Sequence, residues 1–188
     1  MTKNGQTERD TRSEMEHEVA ACRALFEKKT RDYGTSWRIL RLPSLTDQIF
    51  IKANRIRSIQ KSGENRVGDD VRDEFVAMVN YAVMALIQSE MGEGEELELP
   101  LVKALELYDS KTAQILDLMM DKNHDYGEAW RQMRISSMVD LILMKLLRIK
   151  QIEDNEGRTL VSEGVEGGYM DIVNYSLFCL VRLSEQSE

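Results

Sequence analysis

Apolar residues recur every three or four positions along most of the chain, which is the spacing of one face of an α-helix. No segment alternates apolar and polar residues in the manner of a half-buried β-strand. The sequence is rich in leucine, methionine, glutamate and lysine and has 2 prolines, a composition that favours helices. We therefore predict an all-α fold with helices over residues 14–31, 44–60, 71–88, 101–124, 136–153 and 166–184.

The chain contains two copies of one sequence unit. Residues 32–56 and 125–149, which are 93 positions apart, are identical at 12 of 25 positions without a gap. After one inserted residue the match resumes, so that Asn80 corresponds to Asn174. We predict a helical bundle of two tandem repeats that share one core and pack with pseudo-two-fold symmetry. The expected boundaries are a flexible tail at 1–12, repeat 1 at 13–90, a linker at 91–100 and repeat 2 at 101–188.

Each repeat carries the motif Asp-Tyr-Gly-x-x-Trp directly after its first predicted helix. Gly34 and Gly127 are placed to end these helices in a left-handed C-cap. Asp125 lies near the end of its helix, where the helix dipole disfavours an anion. It therefore needs either a cationic partner, for which Arg131 is a candidate, or a role in binding a ligand.

Composition and charge narrow the possible functions. The formal net charge of −8 argues against a surface that coats nucleic acid. No apolar run approaches the roughly 18 residues of a membrane span, and the N-terminus lacks a signal-peptide core. Cys22 and Cys179 show neither metal-ligand nor disulfide spacing. We therefore expect a reduced cytoplasmic protein that neither spans a membrane nor coats DNA.

Charged residues interrupt the most apolar helical segment. Residues 138–149 are apolar around nearly the whole helical circumference, which predicts a helix buried on most sides. Lys145 and Arg148 are three positions apart and share a face, whereas Asp140 points elsewhere. Because an unpaired buried charge is costly, these groups need partners. The same charges recur in repeat 1 as Asp47, Lys52 and Arg55.

The last predicted helix offers those partners. Asp171 and Asn174 interrupt its apolar residues and are again three positions apart. One interpretation is a polar pocket between two helices, with cations for phosphate and carboxylates for Mg²⁺. The other interpretation is a salt-bridge network that is purely structural and was duplicated with the unit. The residues alone leave both open.

Three spaced blocks recur in the same order in the two repeats. They are Lys-x-x-Asp-Tyr-Gly-x-x-Trp, Asp-x(4)-Lys-x-x-Arg-Ile and a final Asn-Tyr, which Asp171 precedes in repeat 2. Over residues 20–87 and 112–182 this pattern resembles the nucleotide modification associated domain 1 family, an all-helical domain that is sometimes duplicated. The order of the blocks is also similar, more weakly, to small MazG-like proteins among the all-α NTP pyrophosphatases.

The first resemblance implies a nucleotide-related protein. The second implies a Mg²⁺-dependent pyrophosphohydrolase acting on a (deoxy)nucleoside triphosphate, in which carboxylates hold the metal and the metal activates water. The implied metal ligands are Asp140, Asp171 and Glu163, and the implied catalytic set is Asp140, Asp171 and Glu166. The residues implied for nucleotide binding are Lys145, Arg148, Arg131, Tyr126, Trp130, Asp125, Asn174, Lys52, Arg55, Asp47 and Asn80.

Two other hypotheses stay open: a nucleotide-binding protein without hydrolysis, and a helical interaction module with structural ion pairs. The Glu-Glu-x-x-Glu motif of MazG enzymes is absent from both repeats, and Asp171 corresponds to Ala77 in repeat 1. Repeat 1 instead has Asp70, Asp73 and Glu74, where repeat 2 has glycines at 164, 167 and 168. A complete site is therefore expected in repeat 2 or shared between the repeats. A homodimer through a methionine-rich face is a further expectation.

Overall fold

A computed structural model describes residues 10–64, 70–94, 96–161 and 164–186. Within these ranges the regular structure is helical, without a strand, as predicted. Repeat 1 forms α1 (Thr11–Tyr33), α2 (Leu42–Ser62) and α3 (Val71–Met91), and repeat 2 forms α4 (Leu101–Tyr126), α5 (Ile135–Asp154) and α6 (Glu166–Glu185). Short 3-10 helices at Ser36–Ile39 and Ala129–Gln132 precede α2 and α5.

Side-chain caps account for where two helices begin. Asp10 accepts hydrogen bonds from the backbone N–H groups of Arg12 (3.1 Å) and Ser13 (3.3 Å), so α1 begins at Thr11, three residues before the predicted start. Asp70 caps α3 by accepting from the backbone N–H of Arg72 at 3.0 Å. The predicted tail at 1–12 therefore ends earlier than expected, and its residues 1–9 lie outside the described ranges.

The two repeats share one core. α3 and α6 pack against each other in the centre, α2 packs against α3, α5 packs against α6, and α2 and α5 also contact each other. α1 and α4 contact each other, and both lie against α3 and α6. Buried apolar side chains from all six helices form one cluster. None of the helices in the described ranges combines the length and the apolar content needed to cross a membrane.

Two ion pairs reflect the predicted pseudo-two-fold arrangement. Asp47 on α2 pairs with Lys150 on α5, and Asp140 on α5 pairs with Arg57 on α2 at 3.6 Å. Lys150 corresponds to Arg57 at the repeat offset of 93, so exchanging the repeats converts one pair into the other. A two-fold axis between α2 and α5 produces this exchange.

As predicted, the helix over 138–149 is buried on most sides, but one of its sides is exposed. Leu147 is 52% exposed and Met144 is 43% exposed, and Asp140 and Arg148 are exposed as well. α5 packs against α2 and α6 but lies on the outside of the bundle, so its third face is open to solvent. The apolar residues of α5 therefore extend to its solvent-exposed side.

The turn after the first helix of each repeat is tied to the last helix of that repeat. In repeat 1 the Gln88 amide donates to the carbonyl oxygens of Arg38 (3.1 Å) and Leu40 (3.0 Å). In repeat 2 Arg182, the counterpart of Gln88, donates to the carbonyl oxygens of Arg131 (2.5 Å) and Met133 (2.8 Å). These bonds fix the tryptophan-bearing 3-10 helix against α3 or α6.

Candidate functional site

A cleft of about 530 Å³ opens between α4, α5 and the start of α6 in repeat 2. Its charged lining consists of the cations Lys122, Lys145 and Arg148 and the carboxylates Glu166 and Asp171. The described lining therefore carries a net positive charge in a chain whose formal net charge is −8. We call this space the cationic cleft. A concentration of cations in an otherwise acidic protein favours an anionic ligand.

The carboxylate of Asp171 lies between two lysines. Lys145 Nζ is 2.8 Å from Oδ2, and Lys122 Nζ is 3.3 Å from Oδ1. Arg148, one helical turn beyond Lys145, has no acidic group within salt-bridge distance among the described residues. Its guanidinium is exposed on the wall of the cleft. The cleft thus offers one unpaired fork of N–H donors, the group that binds phosphate oxygens in a bidentate manner.

A glycine allows α6 to lie directly on α5 at the bottom of this cleft. A Cβ atom added at Gly168 would lie 2.9 Å from both Cδ1 and Cγ1 of Ile149, closer than real Cβ contacts. Any larger residue at position 168 would have to push the two helices apart. Gly164 and Gly167 also line the cleft and contribute no side chain to it.

An aromatic pocket of about 370 Å³ adjoins the cationic cleft, and the two share Lys122 and Asp171 as lining residues. Phe178 stacks on Trp130 with the ring centroids 4.4 Å apart and the planes at 11°. Tyr126 at the rim is 79% exposed. The other lining residues of this aromatic pocket are Met119, Asn123, Gly127, Ala129, Met133, Asn174 and Tyr175.

Three buried polar atoms in the lining of the aromatic pocket have no hydrogen-bond partner among the described residues. They are the indole Nε1 of Trp130 and the amide oxygens Oδ1 of Asn123 and Asn174. Asn174 is 6% exposed, so water reaches it poorly. Buried polar groups are ordinarily paired, and an unpaired group costs about 1–3 kcal/mol. These three atoms are themselves shielded from solvent, so they are polar groups within the packed wall of the pocket.

Comparison with known proteins supplies the family. The sequence model of the family described as nucleotide modification associated domain 1 matches residues 29–89 and again residues 122–183. The chain belongs to this family. No curated protein and no solved structure matches the chain. The comparisons therefore confirm the duplicated domain and give no support to the weaker resemblance to MazG-like enzymes.

The two copies of the family domain differ at the cation pair. In repeat 1, Lys52 and Arg55 both contact the carboxylate of Glu74, which is 3% exposed. Asn80 is also fully engaged, since its amide donates to the Cys22 carbonyl oxygen at 3.1 Å and accepts from the Tyr108 hydroxyl at 2.7 Å. These three predicted nucleotide-binding residues therefore have structural partners.

The predicted metal and catalytic set is not brought together. Asp140 is 61% exposed, pairs with Arg57 and lines neither the cationic cleft nor the aromatic pocket. It lies five residues before Lys145, hence about 140° around the helix, and faces α2 rather than α6. Asp47 is likewise on the α2–α5 surface. Glu166 does line the cationic cleft, where its carboxylate accepts from the Ser89 hydroxyl at 2.6 Å. Glu163 lies outside the described residues.

Within the described ranges, no group of three histidine, cysteine, aspartate or glutamate side chains could hold a metal ion. Asp171 and Glu166 are the carboxylates at the cationic cleft, and each is already bonded to a protein group. Two such carboxylates with ligand phosphates match the way Mg²⁺ is commonly held, whereas a dedicated protein cage does not. Magnesium therefore stays a prediction that depends on a phosphate ligand.

Arg131 and Asp125 do not form the predicted pair. Arg131 contacts Glu14, Glu128 and Glu185 in a network that ties α1 and α6 to the turn of repeat 2. Its neighbours hold it away from the cleft, and the three carboxylates leave little capacity for a phosphate. Asp125 is exposed, with His124 Nδ1 3.3 Å from its carboxylate.

Lys122, Asn123 and Tyr175 line the site and were not predicted as site residues. A signal for two of them was present in the repeat comparison. Lys122 corresponds to Lys29 and Tyr175 to Tyr81, so both types are kept in the two copies of the family domain. Asn123 corresponds to Thr30 and carried no such signal.

Proposed function

We propose that the chain binds a nucleoside phosphate or deoxynucleoside phosphate in repeat 2. The phosphate groups lie in the cationic cleft and the nucleoside lies in the aromatic pocket. The observation that carries this proposal is the junction of the two spaces at Lys122 and Asp171, which joins a cationic part to an aromatic part. A nucleotide has the same division into an anionic and an aromatic part.

Arg148 and Lys145 supply the contacts to phosphate. Arg148 donates from its unpaired guanidinium, and Lys145 shifts part of its bonding from Asp171 to a phosphate oxygen. The remaining carboxylate bond of Asp171 to Lys122 keeps that lysine directed toward the junction. Volumes of about 530 and 370 Å³ are within the range of about 300–1,000 Å³ typical of small-molecule sites.

The aromatic pocket supplies the contacts to the base. Phe178 stacks on the Trp130 ring and the Arg131 guanidinium lies 4.3 Å from its centroid, so Trp130 shapes the wall and offers its Nε1–H as a donor. The exposed ring of Tyr126 is available to stack on a base. The amides of Asn123 and Asn174 then pair with polar edges of the base or with the sugar hydroxyls.

Hydrolysis to the nucleoside monophosphate and pyrophosphate is a second candidate. It is favoured by the presence of Asp171 and Glu166 in the same cleft as the phosphate-binding cations. Mg²⁺ held between these carboxylates and the phosphates would supply Lewis-acid chemistry at the phosphoryl group. Binding alone requires fewer groups and is therefore the primary proposal.

Isothermal titration with the common NTPs and dNTPs in the presence of Mg²⁺ tests the binding proposal. Lys145→Met should lower the affinity for the best ligand by at least about tenfold, because a charge-assisted contact contributes about 1.5–3 kcal/mol. Lys52→Met is the matched control, since Lys52 is the same residue in repeat 1 and faces Glu74. It should leave the affinity unchanged.

If the folded wild-type chain binds none of these nucleotides, the proposal is refuted. Pyrophosphate release, assayed on the same panel with EDTA as the metal control, separates the two candidates. Release that requires metal and is lost in Asp171→Asn would support the hydrolase. Binding without release would leave a nucleotide-binding protein.

A further inference from the structure

The cation pair of the cationic cleft has an exact sequence counterpart in repeat 1. Lys52 and Arg55 on α2 correspond to Lys145 and Arg148 on α5 at the offset of 93. In repeat 1 both cations face Glu74 on α3: Lys52 Nζ is 3.4 Å from Oε2, and an Arg55 Nη atom bonds Oε1. The carboxylate is buried, while the two cations reach it from the partly exposed surface of α2.

The residue that corresponds to Glu74 in repeat 2 is a glycine. After the single inserted residue the offset is 94, which aligns Glu74 with Gly168. Gly168 has no side chain with which to reach Arg148, and both residues line the cationic cleft. The acid of repeat 2 is Asp171, one helical turn later, and it contacts Lys145 without contacting Arg148. The same cation pair therefore faces a carboxylate in one repeat and an open cleft in the other.

We infer that Glu74 occupies, in repeat 1, the place that a ligand phosphate takes in repeat 2, so that the chain binds one phosphorylated ligand and not two. This inference rests on the proposed function of repeat 2. A carboxylate and a phosphate present the same kind of oxygen acceptors to an arginine and a lysine. Glu74 thus acts as an internal ligand that closes the anion site of repeat 1.

The aromatic part of the site is also retained in repeat 1. A pocket of about 410 Å³ in repeat 1 is lined by Tyr33, Trp37 and Tyr81, the counterparts of the aromatic residues in repeat 2. Lys29, the counterpart of Lys122, lines it too. Within the described part of the chain, the buried Nε1 of Trp37 has no hydrogen-bond partner, as is the case for Trp130. Removal of the Glu74 carboxylate should therefore release Lys52 and Arg55 from this contact in a repeat that keeps its aromatic pocket.

The stoichiometry of binding tests the inference, with inorganic pyrophosphate as the probe in titration calorimetry at low ionic strength. The wild-type chain should bind one pyrophosphate, and Lys145→Met should bind none. Glu74→Ala should bind two. The double variant Glu74→Ala/Lys145→Met should bind one, with an affinity within about tenfold of the wild-type site. Adding Lys52→Met to that double variant should abolish this remaining binding.

Circular dichroism and cooperative thermal unfolding establish that each variant is folded. If Glu74→Ala does not fold, Glu74→Gln replaces it, because glutamine keeps the shape of the side chain and removes its charge. Glu74→Gln should also add a second site. This site should bind pyrophosphate more weakly than the one in Glu74→Ala, because the amide still fills part of the space.

The outcomes separate this inference from the proposed function. Two ligands on the wild-type chain, or one ligand retained by Lys145→Met, would overturn the inference. A folded Glu74 variant that gains no site would overturn it as well. Suppose that the wild-type chain binds no pyrophosphate, whereas Glu74→Ala/Lys145→Met binds one. The proposed function then fails and the role of Glu74 stands.

Discussion

At the scale of single residues, one asparagine has two environments in the two repeats. Asn80 bonds the Tyr108 hydroxyl and the Cys22 carbonyl, and so joins α3 to α4 and α1. Asn174, at the same position of repeat 2, makes no hydrogen bond with a described residue and borders the aromatic pocket. The same side chain therefore serves the core in one copy and faces a candidate ligand site in the other.

Alanine at these two positions should have opposite effects. Asn80→Ala leaves the buried Tyr108 hydroxyl without its partner and should lower the free energy of unfolding by about 1–3 kcal/mol. Asn174→Ala should change stability by less than about 1 kcal/mol and weaken the binding of the best nucleotide. Urea unfolding measures the first effect and titration calorimetry the second. Equal destabilisation by both variants would argue that Asn174 is a structural residue.

At the scale of the elements, glycine ends the first helix of each repeat in a conformation that was not predicted. Gly34 has φ 65° and ψ −151°, and Gly127 has φ 63° and ψ −161°. The positive φ was expected, but these ψ values lie outside the left-handed helical region, which Gly63 at the end of α2 does occupy (φ 69°, ψ 5°). The more extended conformation directs the chain into the 3-10 helix that carries the tryptophan.

Substitution of these glycines should distinguish the two conformations. Gly34→Asn should cost about 1–3 kcal/mol of unfolding free energy, because only glycine adopts its backbone angles without strain. No atom lies within 4 Å of a Cβ built there, so the cost comes from the backbone alone. Gly63→Asn is the matched control and should be nearly neutral, since asparagine tolerates the left-handed region. Urea unfolding of both variants gives the comparison, and a neutral Gly34→Asn would contradict it.

At the scale of the whole molecule, a partly buried polar cluster links the repeats. Glu153 on α5 accepts hydrogen bonds from the Thr46 hydroxyl of α2 at 2.7 Å and from the Tyr169 hydroxyl of α6 at 3.0 Å. The two hydroxyl oxygens are 2.7 Å apart. Burial raises the pKa of Glu153, although these two hydrogen bonds act in the opposite direction. The cluster makes the interface between the repeats sensitive to pH.

The sign of this sensitivity follows from the raised pKa. The folded state binds the Glu153 proton more tightly than the unfolded chain does, whose glutamate pKa is about 4.3. The contribution to stability is therefore complete below that value and is lost as pH rises through the higher folded pKa. Relative to wild type, Glu153→Gln should gain stability between about pH 4 and 7. Urea unfolding across this pH range checks the prediction. The control is Glu106→Gln on the exposed face of α4, whose free energy of unfolding should depend on pH as that of wild type does.

The sequence by itself determined the helices, their order and the duplication. Helical periodicity and caps such as Asp70 depend on neighbouring residues, so the predicted segments lie within a few residues of the observed helices. The identities between residues 32–56 and 125–149 also identified the family, which the comparison confirmed. Lys145 and Arg148 share one face of α5, and Asp171 and Asn174 share one face of α6. This spacing indicated contacts between the two helices, and Lys145 does pair with Asp171.

Only the tertiary structure decided which charges meet. Asp140 and Lys145 are in one helix but face different neighbours, because α5 contacts α2 on one side and α6 on the other. The sequence also could not say that Glu74 reaches back to Lys52 and Arg55 while its counterpart Gly168 packs directly against Ile149. Helix packing sets these distances across the bundle, and local sequence patterns carry no information about a gap between two helices.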